Sequence, residues 1–188
     1  LIVHGIFAEV LTRAPSLILT NTNYVKKVVF PLDILPLIPL GSALFHAAIS
    51  TLVLLLAQLI VLGSIPWTFW MLPLVLLPLL VLAMGISWLL ASLGVFLRDI
   101  GQTMGLIATM LLFLSPIFYP ISALPENFHG LIHANPLTFI IEQVRLVLLQ
   151  GQLPDVAGLI KYLIVSLLVA WLGFAWFQKT RKGFADVL

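Results

Sequence analysis

The sequence predicts an all-α, polytopic transmembrane helix bundle with two short re-entrant helices on its outer side. Three observations carry that expectation. Of 188 residues, 62% are hydrophobic and 9% charged, whereas water-soluble domains carry about a quarter charged residues. The mean hydropathy is +1.19. The apolar residues also gather into runs near the roughly 20 residues a helix needs to cross a hydrocarbon core of about 30 Å, and the charges fall at the ends of those runs.

Residues 1–18 form the first candidate, but Glu9 and Arg13 lie within them, so only about 1–14 is expected in the membrane, as part of a span. Those two charges are spaced i,i+4 and suit a stabilising pair at a span end. Residues 17–31 alternate apolar anchors with polar residues and end in Lys26 and Lys27 before Phe30 and Pro31. That pattern suits a short interfacial helix that docks a partner, or an amphipathic connector held by lipid phosphates.

Residues 34–62 form the first clean span, with Pro36 and Pro39 in its opening turns, where missing N–H donors cost least. Residues 71–97 form the second, with Pro73 and Pro78 near its start and Gly85 and Gly94 further on. Residues 100–118 form a shorter third, ending around Pro116. Residues 156–177 form the fourth, closed by Lys179, Arg181 and Lys182.

Residues 114–154 interrupt this series with two histidines, two acids, an arginine and five prolines. The stretch is too apolar for a soluble domain and too broken to cross a bilayer unaided, so it reads as two half-helices, 120–131 and 136–149, dipping into the outer leaflet. In the second, Phe139, Ile140, Val144, Val147 and Leu148 recur at helical spacing. Asn135 resembles an N-cap, Pro136 stands at the first helical position and Gly151 suits the exit. Glu142 and Arg145 are spaced i,i+3 and are expected to pair, since an unpaired charge at membrane depth is costly.

Charge orients the chain. Lys26 and Lys27, then Arg98, then the basic tail fall on one side if four spans alternate, and the loop 63–70 carries no base. By the positive-inside rule that side, with the C-terminus, is cytoplasmic, and Trp67, Trp70, Phe118 and Tyr119 mark the outer interface. Nine basic and seven acidic residues give a net charge of +2 without a basic patch, which argues against nucleic acid. The absence of cysteine excludes disulfides, thiolate metal sites and cysteine nucleophiles in this chain. The opening Leu-Ile-Val-His-Gly shows no methionine, basic n-region or cleavage site, so a signal peptide is not expected and an incomplete chain is.

Little in the sequence points to catalysis. It holds no Gly-x-x-x-x-Gly-Lys-Ser/Thr loop, so any ATP chemistry belongs to a partner. Ser87 and His46 would be the nucleophile and base of an intramembrane hydrolase, but Gly85 and Ser87 read better as small residues that let helices approach. His129 and His133 are spaced i,i+4 as on one helical face, yet lack a convincing third metal ligand. Arg98 and Asp99 stand between two apolar spans and either reach the cytoplasmic interface or pair in the bundle.

The order of these pieces resembles one family. Val25-Lys26-Lys27-Val28-Val29-Phe30-Pro31, Ile34-Leu35-Pro36-Leu37, Phe96-Leu97-Arg98-Asp99-Ile100, Leu114-Ser115-Pro116-Ile117-Phe118-Tyr119-Pro120, Asn135-Pro136-Leu137, Glu142-Gln143-Val144-Arg145 and Phe184-Ala185-Asp186 follow one another as in the permease subunits of polysaccharide ABC exporters. The chain departs from that family at its N-terminus, where an amphipathic helix, a first span and most of a second would stand. The resemblance implies one permease domain, incomplete at its start, in a bacterial inner membrane. It implies a homodimer driven by a cytoplasmic ATPase that binds ATP and Mg, with no cofactor on this chain, moving a lipid-linked O-antigen, capsule or teichoic acid. It places Asn21, Asn23, Tyr24, Lys26, Lys27, Arg98 and Asp99 in loops that couple to the ATPase. It makes residues 119–154 a periplasmic gate, with Ser115, Pro116, Phe118, Tyr119, Phe128, Asn135, Pro136, Glu142 and Arg145 along the exit path. Short, proline-broken helices would shift there without unravelling a span. A drug or lipid ABC exporter shares the architecture, and the intramembrane hydrolase is the alternative from another class.

Overall fold

A computed structural model describes residues 1–23, 31–97, 99–117, 130 and 135–187, with the side chains of Ala185 and Asp186 left aside. Among these residues the regular elements are all helical. They are α1 (Ile2–Arg13), α2 (Leu17–Thr20), α3 (Leu37–Leu62), α4 (Leu72–Phe96), α5 (Ile100–Leu114), α6 (Pro136–Arg145), α7 (Val156–Thr180) and α8 (Phe184–Val187). Four stretches of described residues are long and apolar enough to cross a membrane: Ile2–Thr20, Leu32–Leu62, Trp67–Phe96 and Val156–Gly183.

These four are not the four clean runs of the sequence. The first stretch carries its helix past Arg13 because Pro15 sits in a 3-10 turn, Ala14–Ser16, that leads directly into α2. Within it Glu9 and Arg13 form the expected ion pair at 2.9 Å, which offsets the cost of both charges. Conversely, α5 spans 15 residues, about 22 Å at the helical rise and short of the roughly 30 Å core. It stops at Leu114, not near residue 118, because Pro116 pushes its predecessor out of the helical region: Ser115 has φ −92° and ψ 143°.

The core is built around α4, which is buried along its length by α1, α6 and α7. Its small residues explain how closely α7 approaches. A Cβ on Gly85 would lie 2.5 Å from Ala170 Cα, and one on Gly173 would run into the Gly85 carbonyl. Small residues let membrane helices meet backbone to backbone, where dispersion replaces the hydrophobic effect. Gly94 similarly receives the Pro15 carbonyl from the turn after α1. The outward faces of α3 and α7 are apolar and exposed, including Phe45, Leu52, Ile60, Ile164 and Trp171.

The bundle has two distinct ends. At one, Asp33 meets Arg181 at 3.8 Å. Phe184 there packs tilted against Phe96 and edge-to-face against Phe177, with ring centroids 6.0 and 5.6 Å away. Trp88 donates its indole N–H to the Asp33 carbonyl at 3.0 Å. The start of α3, the end of α4 and the basic tail therefore converge. At the other end lie the Trp67–Met71 turn and α6.

Candidate functional site

The second end is assembled from residues that local sequence rules predict one by one. Asn135, at φ −71° and ψ 123°, accepts from the Leu137 amide at 2.9 Å and caps α6, whose first residue is Pro136. The same side chain donates to Ser115 Oγ at 2.9 Å, and Ser115 in turn donates to the Leu111 carbonyl at 2.6 Å. One buried amide thus joins the start of α6 to the end of α5. The cap and exit agree with the sequence, since Gly151 has φ 66°.

The expected Glu142–Arg145 pair does not form. Arg145 instead donates through Nη2 to the Pro116 carbonyl at 2.7 Å. The reason lies in the break after Leu114, which leaves that carbonyl without a helical donor, whereas i,i+3 spacing considers only charges on the same helix. Glu142 is half-buried nearby on α6.

Beyond Arg145 the helix widens into a π turn, Leu146–Gln150. Thr68 donates to the Val147 carbonyl at 2.6 Å, and Gln58 Nε2 donates to the Leu148 carbonyl at 2.9 Å. Gln143 Oε1 accepts the Asp155 amide at 2.7 Å, beside the carboxylate by which Asp155 caps α7. Tyr162 donates its hydroxyl to the Pro136 carbonyl at 2.7 Å. Gln58, Thr68, Gln143 and Tyr162 did not stand out from the sequence, although a lone glutamine in Leu-Leu-Leu-Ala-Gln-Leu-Ile is a visible signal. Trp67 and Trp70 are 66% and 77% exposed at this end.

Ser115, Pro116, Asn135, Pro136 and Arg145 are thus brought together, while Phe118, Tyr119, Phe128, His129 and His133 lie outside the described residues. So does nearly all of the half-helix expected over 120–131. At the opposite end, Asn21 closes α2, donating to the Leu17 carbonyl at 2.9 Å. Asn23 and Asp99 are exposed, and Asp99 precedes α5 without a capping bond from its side chain. Tyr24, Lys26, Lys27 and Arg98 lie outside the described residues.

The hydrolase constellation is not assembled. Ser87 is fully buried and donates to the Pro36 carbonyl at 3.0 Å, while His46 contacts Glu9 at 2.9 Å from α3. The candidate nucleophile and base serve different helix contacts.

Comparison with known proteins agrees with this architecture. The profile of the ABC-2 type transporter family matches residues 1–149. An O-antigen export system permease protein RfbA of Klebsiella pneumoniae is 29% identical over 185 residues, covering 97% of this chain and 70% of the relative. A permease of the same name from Myxococcus xanthus is 26% identical over 178 residues, covering 91% of this chain and 66% of that protein. With the match running from α1 through α6, this multi-pass membrane protein belongs to the ABC-2 type transporter family.

Proposed function

We propose that the chain is the membrane-spanning permease subunit of an ATP-driven exporter of lipid-linked polysaccharide in the bacterial inner membrane. The observation that carries this reading is the likeness to O-antigen export permeases over 97% of the chain. The cargo class is an O-antigen, capsular polymer or teichoic acid on a lipid carrier. The chain is a transport subunit and not an enzyme. ATP and Mg act on a separate cytoplasmic ATPase, in keeping with the lack of a phosphate loop here.

The two ends of the bundle divide the labour. The end where Asp33, Phe96 and Arg181 converge faces the cytoplasm, because the segments flanking Lys26, Lys27 and Arg98 join the basic tail there. Asn21, Asn23, Tyr24, Lys26, Lys27, Arg98 and Asp99 couple it to the ATPase. The mouth around Asn135 and Arg145 opens on the periplasmic side and must close when idle, or ions leak past a path wide enough for a hydrated glycan. Phe118, Tyr119 and Phe128 offer rings for sugar faces. The exposed apolar faces of α3 and α7 are available to lipid and to a second copy, which completes the conduit as a homodimer.

Disrupting the gene in its host tests the proposal. Surface polysaccharide should disappear while lipid-linked polymer accumulates on the cytoplasmic side, and the gene in trans should restore export. Unchanged surface polymer after complete loss of the protein would contradict the reading.

A further inference from the structure

The outer helix α6 has more restraints than a gate leaf should. Its apolar face is buried through Leu137, Ile140, Ile141 and Val144. Its first turn is held by Asn135 to Ser115 and by Tyr162 to the Pro136 carbonyl. Its middle is held by Gln143 to the Asp155 amide, and its last turn by Arg145 to the Pro116 carbonyl. The restraints therefore come from α5, the connection into α7, and α7 itself.

The π turn is the most informative part. A helix end leaves carbonyls without intrahelical donors, and water normally satisfies them. Here Val147 and Leu148 are 0% and 1% exposed, so water does not serve that purpose. Thr68 and Gln58 supply the donors instead, from the Trp67–Met71 turn and from α3. Gln58 is 6% exposed, and its Oε1 has no hydrogen-bond partner among the described residues. A buried unpaired acceptor is costly. Placing an amide there is accounted for by what its other atom does, which is to hold the Leu148 carbonyl.

We propose that α6 with its π turn is a fixed sill of the outer mouth, against which other parts move, and that Thr68 and Gln58 are positioning residues acting through the Val147 and Leu148 carbonyls. The assignment rests on reading this end as the exit of a conduit. Displacing α6 as a leaf would break these bonds together and strip several buried polar groups of their partners at once. Opening that leaves the sill in place avoids that cost.

Hydrogen exchange of the amides in 137–150 tests the proposal in the full-length subunit with its ATPase, at rest and during ATP turnover. The sill should exchange equally slowly in both states. Thr68→Val should speed exchange across 146–150 by roughly fivefold or more, whereas Thr68→Ser, which keeps the donor, should restore native rates. Tyr162→Phe provides a second arm if Thr68→Val does not accumulate, and should speed exchange around 137–140. Turnover that accelerates exchange across α6 in the native protein would overturn the proposal, as would native rates in both Thr68→Val and Tyr162→Phe. Exchange does not report cargo, so an intact sill in a protein whose loss leaves surface polysaccharide unchanged would count against the proposed function alone.

Discussion

At the residue scale, Asn135 serves the mouth twice, because one side chain caps α6 and reaches Ser115. Asn135→Ala should cost about 1–2 kcal/mol, from a lost cap and an orphaned buried hydroxyl contact. Thermal unfolding in detergent should show that as a midpoint lower by several degrees. Asn135→Asp keeps the capping oxygen but replaces the donation to Ser115 with a buried carboxylate, so it too should lower the midpoint. The cap, Pro136 and Gly151 were legible in the sequence because each acts within a few residues. The bond to Ser115 was not, since its partner stands twenty positions earlier beyond a break. Arg145 was misread for a related reason: helical spacing pairs charges on one helix and does not register a backbone carbonyl freed by a proline elsewhere.

At the element scale, close contact between α4 and α7 organises the bundle. Gly85→Ala places a Cβ 2.5 Å from Ala170 Cα, and backbone cannot rotate aside as a side chain does. The variant should therefore lower the unfolding midpoint markedly and reduce the amount of protein in the membrane. Gly41→Ala, on α3 with nothing within 4 Å of the added methyl, should leave both near native and serves as the control. The sequence identified Gly85 and Ser87 as packing residues, but their partners, Ala170 and Gly173 on α7 for Gly85 and the Pro36 carbonyl for Ser87, follow only from tertiary structure. Span lengths were partly legible as well. The proline before the end of residues 100–118 was visible, yet its effect one residue upstream shortened α5 below a full span. In residues 1–18 the paired charges suggested an ending, whereas Pro15 in its 3-10 turn allows the helical path to continue.

At the scale of the whole molecule, the asymmetry of the two ends is the link to function. Arg181 of the basic tail meets Asp33 at one end, and an interlocked polar mouth around Asn135 and Arg145 occupies the other. Neutralising Arg98, or Lys26 together with Lys27, in the full-length subunit should reduce ATPase stimulation and export severalfold while leaving membrane insertion intact. Normal coupled rates in both variants would remove these residues from the coupling role. Transport is read out with the full-length subunit and its ATPase in sealed vesicles loaded with lipid-linked polysaccharide on the ATPase side. Polymer should appear on the opposite side only with hydrolysable ATP and Mg. ATP hydrolysis by a correctly inserted complex with no polymer crossing would contradict it.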